Sequence, residues 1–251
     1  WDNQPDELAR ELESIGAHII LNRDPANPGH NNINRQIVST RAGVELACEM
    51  GFDYILKTRA DARVYAPRFV EFLSGLLEHF PIDPRHGMSR RIAVLDVATR
   101  LFVPHHPSDI LMFGHRTDMR RYWNPPLSTH DSPLPKWKHF GQLWQPAIPE
   151  VYLCQQFYRQ IGYRQQSTLG SWWQALADLF VVVDRHAIGH FWPKANFAVD
   201  FCDGQDAHLR LLALCSFRDW LNMQQGIFPG IFNEQQMQAA PIDCRASQAA
   251  A

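Results

Sequence analysis

Residues 53–65, Asp53-Tyr-Ile-Leu-Lys-Thr-Arg-Ala-Asp-Ala-Arg-Val-Tyr65, begin with a short apolar run and then carry four charged side chains at alternate positions. The run of residues 54–56 consists of strand formers without polar alternation, which predicts a strand buried on both faces of a parallel sheet. Alternate side chains of an extended segment project to one side, so the four charged side chains would lie together on one side of the chain just after the strand ends. Ligands of open α/β sheets bind outside the carboxyl ends of the strands, so the charges predict a ligand site, with a solvated strand end as the alternative. The charged residues are Lys57, Arg59, Asp61 and Arg63.

Helices and strands alternate on both sides of this segment, which is typical of an α/β domain. Periodicity, caps and glycine stops predict helices at residues 5–15, 33–50, 67–80, 118–122, 149–161 and 205–223, and strands at 18–22, 91–95, 110–113 and 179–183. Because such a sheet normally starts on a strand, we expect a first strand upstream of Trp1. We predict one domain over residues 1–224, with a long irregular loop at 123–148, and a C-terminal tail over 225–251.

Composition and charge argue against several classes of protein. The chain has 251 residues, of which 45% are hydrophobic and 20% charged, as is usual for a globular protein with a sizeable core. A formal net charge of −2 argues against nucleic-acid binding, because no basic excess is present to neutralise phosphates. No apolar run of about 18 residues occurs, so we expect no transmembrane segment. Five widely spaced cysteines without a CxxC pair indicate reduced thiols, which predicts a cytoplasmic protein.

Two carboxylates stand out because each is predicted at the edge of an element. Asp61 follows a strand, where a carboxylate can bind a divalent cation that also holds a phosphate-bearing substrate. Glu150 begins a helix, where the free amides can orient its carboxylate to accept a proton from a hydroxyl. An acidic residue in the first turn is also favoured by the helix dipole alone, so a purely structural role for Glu150 stays open.

Histidines give weaker signals for a metal. His105 and His106 are adjacent, and neighbouring side chains of an extended segment point in opposite directions. His186 and His190 have helical i,i+4 spacing, but Gly189 between them disfavours a helix, so each is better interpreted as a single ligand. The sequence contains no GxGxxG, Walker A or GxSxG motif, which argues against Rossmann dehydrogenases, P-loop NTPases and serine hydrolases.

Four segments, taken in order, carry a resemblance to a known family. They are Asn34-Arg-Gln-Ile-Val-Ser-Thr-Arg-Ala-Gly43, Tyr54-Ile-Leu-Lys-Thr-Arg-Ala-Asp61, Ser108-Asp-Ile-Leu-Met-Phe-Gly114 and Pro149-Glu150. Together they resemble the WavE lipopolysaccharide synthesis family, whose members are assigned as bacterial glycosyltransferases of the GT-A type. The resemblance implies a GT-A-like α/β fold with a mixed, mainly parallel sheet flanked by helices. It also implies a hexosyltransferase that moves a sugar from a nucleotide-sugar co-substrate to a lipopolysaccharide core or related surface glycan.

The resemblance assigns the charged strand end to the donor. GT-A enzymes hold a metal with an Asp-x-Asp motif, and Asp61-Ala-Arg63 resembles that motif with its second aspartate replaced. One implied option is a divalent metal, Mn²⁺ or Mg²⁺, held by Asp61 with His190 or His186. The other is that Arg63 and the preceding cations supply positive charge to the leaving diphosphate. The donor-binding residues implied in this way are Lys57, Arg59, Asp61, Arg63, Arg35 and Ser108.

The resemblance assigns the chemistry to two acidic residues. Glu150 begins a segment that resembles the acidic helix start of inverting GT-A enzymes, whose carboxylate deprotonates the acceptor hydroxyl. Asp109 follows Ser108 beside the donor sugar or the acceptor, which makes it a second catalytic candidate. The implied acceptor is a glycan or a lipid-linked glycan, so we expect peripheral association with the inner face of the inner membrane.

Two other functions stay open from the sequence. Each acidic motif keeps one acid where the GT-A pattern often has two, which also fits a non-catalytic subunit that binds a sugar or a nucleotide sugar. A metal-dependent phosphoesterase is the other alternative, and it requires its ligands in one cluster because two-metal sites hold their ions ~3.5–4 Å apart. Its ligands would be His105, His106, Asp109 and Asp61.

Overall fold

The computed structural model describes residues 1–2, 6–129, 148–166, 168–193 and 213–229. Within these ranges the α-helices are α1 (Asp6–Ser14), α2 (Ile33–Glu49), α3 (Phe69–His79), α4 (Arg116–Tyr122), α5 (Pro149–Ile161), α6 (Leu169–Leu179) and α7 (Phe217–Gln224). The strands are β1 (Tyr54–Lys57), β2 (Arg63–Val64), β3 (Ile92–Leu95), β4 (Met112–His115), β5 (Phe180–Val183) and β6 (His190–Phe191). None of the described helices is both long enough and apolar enough to cross a membrane.

A four-stranded sheet in the order β1-β4-β3-β5 forms the centre of the protein. β3 and β5 are parallel, whereas β4 pairs antiparallel with both β1 and β3, so β4 alone of these four strands runs in the reverse direction. The predicted mixed sheet flanked by helices is confirmed, but mainly parallel pairing is wrong for the described strands. A parallel neighbour needs a crossover connection. Residues 96–111 contain no helix and return the chain beside β3 in the opposite direction.

β3 and β5 provide the centre of the core. All four residues of each strand are buried, and such continuous apolar runs are typical of strands covered on both faces. In β1 only Ile55 is buried. The prediction that residues 54–56 are buried on both faces is therefore wrong, because β1 lies at the end of the described sheet.

The charged stretch after β1 is a turn rather than an extended segment. The N–H of Ala62 donates to the carbonyl of Arg59 at 3.2 Å, which closes the chain over Asp61. The prediction that all four charged side chains project to one side is therefore wrong, because it requires extended geometry through residue 63. Beyond the turn, Arg63 begins β2, which pairs antiparallel with β6.

β2 and β6 form a two-stranded ribbon that starts where this turn ends. A buried carboxylate, Asp96, fixes the connection that leads to β6. It follows β3 and accepts hydrogen bonds of 2.8 Å from the N–H groups of Val97 and Arg185. Arg185 opens the 3-10 helix Arg185–Ile188 that precedes β6. Because β1, β3 and β5 run in the same direction, this bond holds the ribbon at the edge where all three strands end.

We expect Asp96→Ala to lower the free energy of unfolding by about 1–3 kcal/mol, because it leaves two backbone N–H groups without their acceptor. Asp96 is 8% exposed, so water does not readily replace the carboxylate. Urea unfolding followed by tryptophan fluorescence measures the change. Glu71→Ala is the control, since the Glu71–Arg68 ion pair has side chains 59% and 82% exposed. Equal unfolding midpoints for the two variants would contradict a fixing role for Asp96.

Several other predicted elements differ from the structure. Residues 18–22, predicted as a strand, pair with no strand in the described part of the chain. Within the described part of the helix predicted at 205–223, residues 213–216 are not helical, and α7 begins at Phe217, where Ser216 and Asp219 form a capping box. Residues 213–216 instead run beside the loop after β3, where Leu214 bridges Arg100. α6 and the β2–β6 ribbon were not predicted. Residues 205–212, most of the predicted loop at 123–148 and most of the predicted tail at 225–251 lie outside the described residues.

Candidate active site

The candidate site lies at the carboxyl ends of β1 and β3. Three segments meet there: the end of β1 with its turn, the loop of residues 96–111, and the first turn of α5. Their charged side chains shift one another's pKa values, which requires them to be close in space. The charged cluster, as this group is termed below, consists of Lys57, Arg59, Arg100, Asp109 and Glu150. The structure thus brings together four residues that the sequence singled out and adds Arg100.

The loop of residues 96–111 is held by hydrogen bonds rather than by regular secondary structure. The N–H of Ser108 donates to Thr99 Oγ1 at 2.9 Å, and the N–H of Arg100 donates to the carbonyl of His106 at 3.0 Å. Within the loop, His105 has a φ of 63°, and Ala98 has a φ of 67°. Left-handed backbone is uncommon for residues with a Cβ, and such strained residues cluster at active sites and ligand-binding segments.

Glu150 lies in the first turn of α5, with a side chain that is 20% exposed and an Oε2 atom 3.8 Å from Nε2 of His106. Burial, and after it the nearby Asp109 carboxylate, raises the pKa of Glu150 to about 8, although Arg100 and Lys57 act in the opposite direction. Burial lowers the pKa of His106 to about 4, so its contact with Glu150 is not an ion pair at neutral pH. Glu150 can therefore take up and release a proton near neutral pH.

Lys57 is the last residue of β1, and its ammonium group is enclosed. Nζ donates a hydrogen bond to the backbone carbonyl of Asp109 and lies 5.1 Å from the centroid of the Trp123 ring. Burial lowers the pKa of Lys57, while Asp109 and Glu150 act to raise it. Trp123 and Tyr122 are fully buried, and the indole N–H and the phenol hydroxyl have no hydrogen-bond partner among the described residues. Buried polar groups without partners call for an explanation, and a polar ligand is one.

Arg59 is fixed on two sides. Its Nε donates to Asp61 Oδ1 at 2.8 Å and a terminal nitrogen donates to Oδ2 at 3.1 Å, a bidentate pair that raises the pKa of Arg59. The ring centroid of Trp192 lies 5.0 Å from the guanidinium carbon. With side-chain exposures of 37% for Arg59 and 28% for Asp61, the pair lies at the solvent-facing side of the charged cluster.

The predicted metal ligands do not form a ligand set in the described residues. Both carboxylate oxygens of Asp61 accept hydrogen bonds from Arg59. His190 is buried on β6, whereas His186 is exposed in the 3-10 helix before it. Across the described ranges, no three His, Cys, Asp or Glu side chains are arranged to hold a metal ion together. The metal site stays a prediction, and the phosphoesterase hypothesis gains no support.

The remaining predicted residues have other partners. Arg35 on α2 donates to both carboxylate oxygens of Asp24, at 2.8 and 2.6 Å. Ser108 is fully buried, and its hydroxyl accepts a hydrogen bond from the N–H of Ile110 at 3.3 Å, which supports the loop. Arg63 lies on β2 and donates to the backbone carbonyls of residues 60 and 62. Their predicted roles in donor binding stay predictions.

Sequence reasoning missed three residues beside these groups. Gln36 on α2 donates through Nε2 to Oδ2 of Asp109, and it lies within the segment 34–43 that carried part of the resemblance. Arg100 is enclosed by the loop, burial lowers its pKa, and it acts on Glu150. Trp192 stacks on Arg59. Only Gln36 had a signal in the sequence, since contacts of the other two depend on how distant loops pack.

A pocket of about 780 Å³ lies elsewhere, at the C-terminal end of α5, where Tyr158, Arg159 and Arg164 contribute to its lining. No member of the charged cluster lines this pocket. We place the site at the charged cluster, because proton transfer needs a carboxyl that titrates near neutral pH and cations beside it. None of the described residues that line this pocket is an aspartate or a glutamate.

Comparison with known proteins connects this geometry to a family. Residues 6–190 match the family model described as WavE lipopolysaccharide synthesis, and this range includes the whole charged cluster. No curated protein and no solved structure matches the chain. The match covers well over half of the 251 residues. The chain therefore belongs to the WavE lipopolysaccharide synthesis family, which gives it a role in the synthesis of lipopolysaccharide.

Proposed function

We propose that the protein is a GT-A-type glycosyltransferase that moves a sugar from a nucleotide-sugar donor to a lipopolysaccharide core or related surface glycan. Membership of the family supports a biosynthetic role. The observation that carries the proposal is a carboxyl with a pKa of about 8, on Glu150, in one cluster with Lys57 and Arg100. Sugar transfer from a nucleotide sugar uses both kinds of group: a base for the acceptor hydroxyl and positive charge for the leaving diphosphate.

In the proposed reaction, an acceptor hydroxyl attacks the anomeric carbon of the donor in line with the leaving group. A new bond forms between the hydroxyl oxygen and the anomeric carbon. The bond from that carbon to the diphosphate oxygen breaks, and its electron pair leaves with the nucleoside diphosphate. Glu150, as the carboxylate, takes the hydroxyl proton. Burial and the nearby Asp109 carboxylate raise the pKa of Glu150, which makes Glu150 a stronger acceptor of the proton.

Lys57 and Arg59 are the residues that we propose for the diphosphate. A guanidinium group matches phosphate geometry through paired N–H donors. Asp61 holds Nε and one terminal nitrogen of Arg59, and its other terminal nitrogen has no partner among the described residues. In this proposal Asp61 positions Arg59. The predicted Mn²⁺ or Mg²⁺ ion would add positive charge at the same place, and no step above depends on it.

Slow hydrolysis of the donor in the absence of acceptor tests the proposal, because water can take the place of the acceptor hydroxyl. Thermal-shift assays with UDP-, GDP-, CMP- and dTDP-sugars, with and without Mn²⁺, identify the donor, since a ligand at ~100 times its Kd stabilises a protein by ~2.7 kcal/mol. Release of nucleotide from the stabilising sugar is then measured over time. A stabilising nucleotide sugar that never releases nucleotide, even with acceptor, would contradict glycosyl transfer.

Arg59→Ala should weaken binding of that donor by about tenfold or more, because a hydrogen bond to a charged group contributes ~1.5–3 kcal/mol. Calorimetric titration with the nucleotide sugar measures the change. Arg85→Ala is the matched control, since Arg85 also forms an ion pair with a nearby aspartate, at 2.7 Å, but is 85% exposed and lies outside the charged cluster. Equal affinities for the two variants would remove Arg59 from the donor site.

A non-catalytic subunit that binds a sugar or a nucleotide sugar is the second candidate. The observation that favours it concerns Asp61, the one acidic residue left in its motif. Both carboxylate oxygens of Asp61 accept hydrogen bonds from Arg59. The hydrolysis assay separates the two functions. Thermal stabilisation by a nucleotide sugar without turnover would support the binding subunit.

A further inference from the structure

The outer face of the β2–β6 ribbon exposes two aromatic rings. Arg63 lies directly opposite Phe191, and Val64 lies opposite His190. Side chains alternate between the faces of a ribbon, so Arg63, Tyr65 and Phe191 share one face, while Val64 and His190 share the other. Burial follows the same division, since His190 is 7% exposed, whereas Phe191 is 50% and Tyr65 70% exposed.

Tyr65 is uncovered because its cross-strand neighbour is a glycine. The N–H of Tyr65 donates to the carbonyl of Gly189 at 3.1 Å, and Gly189 has no side chain to cover the ring. A Cβ at Gly189 would lie 3.1 Å from the backbone nitrogen of Ala66 and 3.4 Å from Cβ of Tyr65. Its φ of 59° also disfavours other residues at this position. The ribbon therefore combines a close cross-strand approach with an open aromatic ring.

The ribbon connects directly to the charged cluster. Trp192, the residue after Phe191, stacks on Arg59 at 5.0 Å, and Arg59 is paired with Asp61, two residues before Arg63. Arg63 adds a positive charge to the outer face. One of its terminal nitrogens donates to the carbonyls of residues 60 and 62 at 3.0 and 2.8 Å, and its other nitrogens have no partner among the described residues.

We propose that this outer face binds the acceptor glycan, with sugar rings stacked on Tyr65 and Phe191 and a phosphate or carboxylate group of the glycan bound by Arg63. The proposal rests on the proposed glycosyl transfer and adds to it the place and the charge of the acceptor. The C–H bonds of a sugar ring carry partial positive charge and fit the electron-rich face of an aromatic ring. Diagonal neighbours on an antiparallel ribbon are about 7–8 Å apart, so the two rings can contact one oligosaccharide.

Binding of a phosphorylated core oligosaccharide, prepared from lipopolysaccharide by removing its lipid, tests this proposal without requiring turnover. Tyr65→Ala/Phe191→Ala should weaken its binding at least about tenfold, as expected when aromatic anchors are truncated. Tyr65→Trp/Phe191→Trp should retain it, because stacking surface is preserved. Phe52→Ala is the matched control, since Phe52 is 53% exposed and precedes the other end of β1. Calorimetry gives the affinities.

Arg63→Gln tests the charge of the ligand separately. This variant should lose affinity for the phosphorylated oligosaccharide and bind the dephosphorylated form as the wild type does, because the contact to the anion is removed while the two aromatic rings remain. Equal binding of the oligosaccharide by the wild type and the double alanine variant, or no binding by the wild type, would overturn the proposal. So would a wild-type dimer that the double variant dissociates, since the face would then join two copies of the chain. A failure of donor hydrolysis would leave these binding results unchanged, so the two proposals fail separately.

Discussion

Glu150→Gln should lower the rate of glycosyl transfer by roughly 10²–10⁴-fold, which is the usual contribution of a general base. Glutamine has nearly the same shape as glutamate but cannot accept the hydroxyl proton. The change acts on the chemical step, so the affinity for the nucleotide sugar should stay close to that of the wild type. Initial rates of transfer, together with calorimetric titration of the donor, measure both quantities.

The pH dependence of transfer identifies the same group independently. The carboxylate is the active form of Glu150, and burial raises its pKa to about 8. The value of kcat/KM should therefore rise with pH and level off above about pH 8. Glu150→Gln should remove this ascending limb and leave a low, flat profile. If kcat/KM of Glu150→Gln still rose with pH in the same way, the group that titrates would be a residue other than Glu150.

Stability separates the catalytic role of Glu150 from a structural one. The pKa of Glu150 is raised from 4.5 to about 8 on folding, so the folded protein binds this proton more tightly than the unfolded chain does. By linkage, stability attributable to this group is present below pH 4.5 and is lost as pH rises towards about 8. Glutamine undergoes no such loss, so the variant should be at least as stable as the wild type at pH 9. A less stable variant with full activity would indicate that Glu150 only supports α5 through the helix dipole.

Local sequence patterns predicted those elements whose stability depends on local signals. The buried strands β3 and β5 follow from continuous apolar runs, and α5 follows from Pro149 at its start and Gly162 at its end. The direction of β4 could not be predicted in this way, because it depends on the loop of residues 96–111 having no crossover helix. The strand predicted at residues 18–22 failed for a related reason, since a strand requires a partner that its own sequence does not specify.

Part of the charged cluster was predictable because single segments carry their own signals. Lys57 follows an apolar run, and Glu150 follows a helix-starting proline. Their proximity to Asp109, by contrast, results from the loop after β3, which contacts both Lys57 and Glu150 and is held by bonds such as Ser108 N–H to Thr99. Arg100 had no signal at all. Pairings between distant segments depend on tertiary packing, which periodicity and spacing do not encode.

Lys57→Met and Asp109→Asn should shift the ascending limb of kcat/KM in opposite directions. The Lys57 ammonium acts to lower the pKa of Glu150, whereas the Asp109 carboxylate acts to raise it. Removal of the cation should therefore move the limb to higher pH, and removal of the anion should move it to lower pH. Profiles of kcat/KM against pH for both variants and the wild type, at constant ionic strength, give the three midpoints.

The same variants should also differ in kcat at pH values above this ascending limb, where Glu150 is fully ionised. Lys57→Met should lower kcat about 10²–10³-fold, because a cation beside the developing diphosphate charge is lost. Asp109→Asn should change kcat less, since its backbone carbonyl still accepts the hydrogen bond from Lys57 and an amide oxygen can still accept from Gln36. Circular dichroism and urea unfolding of both variants check that a loss of rate is not a loss of fold.

Glu150→Gln provides the control for this comparison. The shift of the kcat/KM midpoint caused by Lys57→Met, and that caused by Asp109→Asn, should each disappear when the substitution is combined with Glu150→Gln. The group on which both charges act is then absent. Shifts of both variants in the same direction would mean that the limb reports a rearrangement of the loop rather than charge acting on Glu150. Opposite shifts that vanish with Glu150 can arise only if the two charges act on one carboxyl, and that arrangement is the one that the proposed transfer requires.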